Sequence, residues 1–194
     1  MVKHNASDRM HSNFSDRSGD NNASSSPSDG VSPFTFLSPD EIIDEDRITA
    51  VLLVPFTESR EQIITIDHYK RGIDIPSGHV EPEDSSFHDT ARRELKEETG
   101  AEIGQVTPII IMESHGYDNQ DTPSYMVVLA GIVKNENIGA FEQSPEILSR
   151  QFMTPDEFLD EYGGAHVDDM RIILNHARAM IGHNKGHTPG MESY

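Results

Sequence analysis

Three glutamates, Glu94, Glu97 and Glu98, stand at i, i+3 and i+4 in Ala91-Arg-Arg-Glu-Leu-Lys-Glu-Glu-Thr-Gly100. In a helix at about 100° per residue, Glu97 and Glu98 fall roughly 60° to one side and 40° to the other of Glu94, so the three carboxylates share a face. Like charges at these spacings repel by about 0.2–0.5 kcal/mol per pair, and by more where the face is partly buried. Something positive must offset them. Arg93 reaches Glu97 at i+4 and Lys96 is adjacent, yet neither covers the triplet. A hard divalent cation would, because magnesium takes oxygen ligands and rests on a few carboxylates together with substrate phosphates and water. The competing reading is a solvated, glutamate-rich surface helix with no ligand.

The helix itself is well signalled. Ser86 is placed as N-cap, Asp89 occupies the capping-box position and Gly100 follows the last residue, so the spacing predicts a helix over Ser86–Thr99. Ala91, Leu95 and Thr99 form a stripe to pack on a sheet. Just before it, in Pro76-Ser-Gly-His-Val-Glu-Pro-Glu, Gly78 permits close backbone approach to a ligand and offers a carbonyl oxygen as a further ligand.

The remaining segments must hold this stretch in place. Arg47–Phe56 reads as a buried strand and Gln62–Tyr69 as a second, the two resembling a hairpin. Val106–Ser114 and Ser124–Val133 read as two more, joined by a polar loop over His115–Pro123. Pro108 suggests that the first begins after it or lies at an edge. Arg150–Met153 is a short strand candidate leading into a helix in which Thr154 caps, Pro155 takes the first helical position and Gly163-Gly164 end it. A final helix is expected from about Asp168 to Ile181. This mixture, without strict strand–helix alternation, predicts a mixed sheet in an α/β (α+β) fold with α/β/α layering.

Composition narrows the function. The chain has 194 residues, enough for one ordinary domain and a tail. Fifteen Lys and Arg against 34 Asp and Glu give a net charge of −19, which repels polyphosphate backbones and argues against long nucleic acid as a partner. Without cysteine there is no disulfide, cysteine nucleophile or thiolate metal site. No apolar run approaches the ~18 residues of a membrane helix. The first thirty residues include eight Ser, four Asn and four Asp, too polar to offset the entropy of ordering. Residues 1–37 are therefore read as a disordered leader, 38–182 as the folded domain and 183–194 as a flexible tail. The leader carries no apolar secretory segment, and a cytoplasmic protein is expected. Gly-x-Gly-x-x-Gly and P-loop patterns are absent, as is any His-Glu-x-x-His.

The stretch from Gly78 to Ala101 resembles the box of the Nudix hydrolase family. That signature is a glycine, five residues, an acid, seven residues, then Arg-Glu-apolar-x-Glu-Glu-x-Gly-apolar. The chain has Gly78, five residues, Asp84, eight residues, then Arg93-Glu94-Leu95-Lys96-Glu97-Glu98-Thr99-Gly100-Ala101. Asp stands where Glu is usual, one residue is inserted before Arg93, and Ala101 is small for the last apolar position. The role of Asp84 is thus left open.

The resemblance implies a Nudix-type α/β/α sandwich and Mg2+- or Mn2+-dependent hydrolysis of a nucleoside diphosphate linked to another moiety. The classes implied are nucleotide sugar, ADP-ribose, dinucleoside polyphosphate and nucleoside triphosphate. It also implies that Gly78, Glu94, Glu97 and Glu98 hold the metal and that Arg93 orients the glutamates. The general base comes from the box or from a later loop, for which Glu142, Glu146 and Glu113 are candidates. Lys70 and Arg71 are placed to steer phosphates. Tyr117 lies at the offset where dinucleoside polyphosphate hydrolases of the family carry a base-stacking tyrosine. The expected partner is a small nucleotide, with no membrane and with a homodimer left open. A non-catalytic nucleotide sensor of the same fold is the alternative, disfavoured because all three box glutamates are present. An isopentenyl diphosphate type isomerase is disfavoured because its chemistry relies on cysteine, and RNA decapping by the acidity of the chain.

Overall fold

A computed structural model describes residues 32–115, 122–134 and 145–183. Among these residues eight strands and three α-helices follow one another as β1 (Thr35–Leu37), β2 (Ile48–Phe56), β3 (Ile63–His68), β4 (Gly72–Asp74), β5 (Ser77–His79), α1 (Phe87–Thr99), β6 (Ile103–Ser114), β7 (Ser124–Val133), β8 (Ile147–Met153), α2 (Pro155–Glu161) and α3 (Val167–His183). The strands form one mixed sheet in the order β1-β6-β7-β2-β3-β4, with β5 on β2 and β8 on β3. The β2–β7 pair is parallel and the other pairs are antiparallel.

Both faces of the sheet are covered, which is why β2 is apolar without alternation from Ala50 to Phe56. Its residues divide by parity. Val51 and Leu53 join Ala91 and Leu95 of α1 in one core, while Leu52, Val54 and Phe56 join Phe158 of α2 and Ile173, Leu174 and Ala177 of α3 in the other. The result is the helix–sheet–helix sandwich expected from the sequence. No helix among the described residues is long and apolar enough to cross a membrane.

Several expectations need correction. The Arg47–Phe56 and Gln62–Tyr69 strands meet only at Phe56–Ile63, and β2 then gives its remaining edge to β5. Of the two readings offered for Pro108 the edge holds and the later start does not, since strand β6 starts at Ile103, ahead of Pro108. Proline is tolerated there because β1 covers β6 only at Ile111–Glu113, leaving that side of Pro108 unpaired, with a register shift at Pro108–Ile110. The folded part also begins earlier than residue 38, since Thr35–Leu37 pair with β6 and Phe34 and Phe36 pack on the core. Three residues are too few to show a period, so the strand left no signal in the sequence. The polar end of the chain begins within α3, which runs to His183.

Candidate functional site

The helix that carries the glutamates is fixed at both ends. The Ser86 hydroxyl accepts the Asp89 N–H at 3.3 Å, and Gly100, at φ 71°, donates its N–H to the Lys96 carbonyl at 2.8 Å. The capping box is half formed: the Asp89 carboxylate takes the Ser86 hydroxyl proton at 3.1 Å. Thr90, Ala91, Leu95 and Thr99 are buried against the sheet. Their position orders the three acids. Leu95 lies 100° round from Glu94, with Glu98 between them at about 40° and Glu97 on the far side at about −60°. Glu98 therefore turns toward the sheet, Glu94 is 13% exposed in its side chain and Glu97 is 60% exposed.

Burial acts on the two inner carboxyls. It pushes Glu98 up to about 8, against the opposing hydrogen bond from the Ser77 N–H at 3.0 Å, and the neighbouring Glu94 charge adds to the rise. Glu94 is raised for the same first reason, opposed by Arg93. Gly78 meets this pair at close range. A Cβ built there would stand 1.9 Å from Glu94 Oε1, so only glycine lets the β5 backbone lie against that carboxylate.

Arg93 is the hub of the acids. Its Nε donates to Asp84 Oδ1 at 3.1 Å and its Nη2 to Asp84 Oδ2 at 2.9 Å, while Nη1 reaches Glu94 at 2.9 Å and Glu97 at 3.3 Å. Nη2 also donates to the His79 carbonyl at 3.0 Å. Asp84 is only 6% exposed and is further held by the Glu81 N–H at 3.0 Å and the Thr90 hydroxyl at 2.9 Å. Arg93, first of all, holds its carboxyl down at about 2. The inserted residue before Arg93 does not prevent Asp84 from gripping it.

A cleft of about 590 Å³ opens beside this corner, where β2 and β3 part. Gly78, Glu94 and Glu98 line it, with Arg71 and Glu146 from the other half of the sheet. Arg71 Nε pairs with Asp74 Oδ2 at 3.0 Å, and burial raises the Asp74 carboxyl. His68 also lines the cleft. Its Nδ1 accepts the Lys70 and Arg71 N–H groups at 3.2 and 3.3 Å, which leaves Nε2 as the donor, and burial followed by the Arg71 charge lowers its pKa.

Other expected residues lie elsewhere. Glu97 is outside the cleft lining for the angular reason given. Glu113 is not among its residues either. It alternates with Met112 and Ser114, which do line it, and pairs instead with His115 at 3.1 Å. Lys70 lies over the Tyr69 ring, 5.0 Å from its centre, and not in the cleft. Tyr117 and Glu142 are outside the described residues. Sequence reasoning missed His68, Phe34, Met112, Ser124 and Met126, which come together only through strand order. An apolar residue in a strand carries no mark that it faces a cleft.

Among the described residues no three His, Asp or Glu side chains already meet as a cation cage. Arg93 instead occupies oxygens of Glu94 and Glu97. The donor set nevertheless fits a hard divalent cation. It consists of oxygens, Gly78 leaves its main chain open against Glu94, and two partly buried carboxyls hold raised pKa values that a nearby positive charge would bring down.

Comparison with known proteins agrees with this geometry. The NUDIX domain family matches residues 46–171. No curated protein matches the chain significantly in sequence. Among solved structures, the Bacillus subtilis pyrophosphohydrolase BsRppH is similar at TM-score 0.58 and 17% identity, covering 76% of this chain and 92% of that one. The NUDIX domain of Shewanella oneidensis NrtR, complexed with ADP ribose, is similar at 0.53 and 15%, covering 70% and 88%. A C. elegans Ap4A hydrolase is similar at 0.52 and 17%, covering 70% and 98%. At such identities these likenesses concern the fold.

Proposed function

Because the chain belongs to the Nudix family, we propose that it is a divalent-metal-dependent hydrolase that cleaves the diphosphate bond of a nucleoside diphosphate linked to another moiety. Nucleotide sugars, ADP-ribose, dinucleoside polyphosphates and nucleoside triphosphates are the classes to consider. The observation that carries the reading is the corner where Glu94 and Glu98 line a cleft beside Gly78 while Asp84 holds Arg93 among the acids.

In this reading Glu94, Glu97, Glu98 and the Gly78 carbonyl hold Mg2+ or Mn2+. The cation supplies charge neutralisation on the diphosphate and a more acidic water. Arg93, fixed by two bonds to Asp84, orients Glu94 and Glu97. Arg71, held by Asp74, presents the remaining face of its guanidinium to a phosphate oxygen in the cleft. Water attacks phosphorus in line, the bond to the leaving phosphoryl oxygen breaks, and the water's proton passes to a carboxylate. Of the candidate bases, Glu146 lies on the cleft.

Phosphate release from the four substrate classes, assayed with Mg2+ and with Mn2+ and coupled to a phosphatase, tests the proposal. Turnover of at least one class that is lost with EDTA supports it. Tight nucleotide binding without turnover in any class would mark a sensor instead.

A further inference from the structure

The cleft is two-ended in chemistry. Every charged residue that lines it comes from one side: Arg71, Glu81, Glu94, Glu98 and Glu146, with His68 and His79 beside them. The lining contributed ahead of β2 and by β6 and β7 carries no charge, and consists of Pro33, Phe34, Met112, Ser114, Ser124, Tyr125 and Met126. Strand register spaces the two ends. His79 pairs with Ala50, Ala50 with Met126, Met126 with Met112 and Met112 with Phe36. Four strand steps of about 4.8 Å place β1 about 19 Å along the sheet from β5. A bare diphosphate at the acids cannot touch the far end, whereas a ring joined to it through a sugar spans the two and three steps, about 10 and 14 Å, to Met126 and Met112, toward which the Phe34 side chain is set.

Phe34 is held at that end by a specific device. The Ser32 hydroxyl accepts the Phe34 N–H at 3.1 Å and donates its own proton to Asp169 Oδ2, on α3, at 2.7 Å. Asp169 is itself buried. Residues 32–37 lie ahead of the 46–171 family match, whereas Met112 and Met126 lie within it. Phe34 is half-buried, with Met112 and Met126 paired side by side on the neighbouring strands. An aromatic face and two adaptable thioethers suit a flat heterocycle, and the Ser114 and Ser124 hydroxyls supply polar atoms for its edge.

We propose that Phe34, with Met112 and Met126, forms the binding site for the substrate's nucleobase, opposite the acid-lined end that takes the diphosphate. The inference rests on the reading that the cleft accepts a nucleotide, and it adds which wall recognises the base. Its test is equilibrium binding to the full chain in Mg2+ of the non-hydrolysable α,β-methylene analogues of ADP, GDP, CDP and UDP, beside methylenediphosphonate, which has no base. The wild-type chain is expected to bind at least one nucleoside analogue more tightly than methylenediphosphonate. Phe34→Leu should weaken that analogue roughly tenfold, as loss of one base–aromatic stack does, and Phe34→Trp should retain it, with methylenediphosphonate unchanged throughout. Thermal melts establish that both variants fold. Nucleoside analogues bound no better than methylenediphosphonate, or a Phe34→Leu variant that leaves the ratio unchanged or weakens both probes equally, would overturn the assignment. Absent hydrolysis in the substrate screen would remove the proposed reaction while leaving this ratio readable. An unchanged ratio beside intact hydrolysis would remove the Phe34 site alone.

Discussion

Asp84 grips Arg93 with both carboxylate oxygens, at 3.1 and 2.9 Å, from nine positions earlier in the chain. The loop residue and the helix residue thus form one unit that aims a guanidinium at Glu94 and Glu97. An extra residue between them and a shorter acid than the family's usual glutamate leave this contact intact.

Asp84→Asn should therefore cost stability, because it leaves Arg93 beside a neutral partner in a largely enclosed place. Urea unfolding at pH 7 is expected to show a loss of about 3 kcal/mol, in the range for removing one partner of a buried ion pair. Since Arg93 holds the Asp84 carboxyl at about 2, below its ordinary 3.8, this contribution is complete above about pH 4 and disappears as pH falls toward 2. The stability gap between wild type and variant should close over that window.

Glu98 behaves in the opposite sense. Burial raises its carboxyl from 4.5 to about 8, so between those values the folded chain keeps a proton that the unfolded chain has lost. Without divalent cations, stability contributed by this group falls as pH rises through that window. Unfolding curves from pH 5 to 9 should show a shallower decline in Glu98→Gln than in wild type. Mg2+ should stabilise the wild type more at pH 8 than at pH 6, because the ionised carboxylate is the form that receives a cation. A difference between wild type and variant that does not change with pH would refute this assignment.

Much of this corner was legible from local sequence because its geometry is local. Helix α1, its caps at Ser86 and Gly100, and the shared face of its acids all follow from spacing along one segment. The unequal burial of those acids was not read from the sequence, which placed all three on one face; it follows from Leu95 being the packed side. Nor was the cleft legible. His68, Phe34, Met112 and Met126 meet only because β6 and β7 lie between β1 and β2, and the parallel β2–β7 pair that creates this order joins segments more than seventy residues apart. The three-residue strands β1, β4 and β5 were invisible for a different reason: a period of two cannot be recognised in so short a run.

Gly78→Ala should disable the site with little effect on folding. A methyl group there would collide with the Glu94 carboxylate and displace it, while the backbone of β5 is extended and accepts alanine. Steady-state assays on whichever substrate the screen identifies should show kcat reduced at least tenfold, alongside a melting curve close to that of the wild type. Normal kcat in this variant would mean that the approach of Gly78 to Glu94 is incidental.

Glu94→Gln and Glu98→Gln should each lower kcat on the order of 10²-fold or more, since a divalent cation contributes several kcal/mol of transition-state stabilisation and each 1.4 kcal/mol is a factor of ten. Glu97→Gln provides a graded comparison. Its carboxylate is exposed and outside the cleft, so a smaller loss than in the other two is expected, and a comparable loss would show that Glu97 also reaches the cation.

The central claim, that this acidic corner holds divalent cations against a diphosphate, is tested most directly by anomalous diffraction from crystals grown with Mn2+ and an α,β-methylene nucleotide. The account predicts manganese peaks within bonding distance of carboxylate oxygens of Glu94 and Glu98 and of the Gly78 carbonyl, with the diphosphonate oxygens completing the shell. Nucleotide bound in the cleft with no manganese at these oxygens, or manganese only at acids elsewhere on the surface, would contradict it.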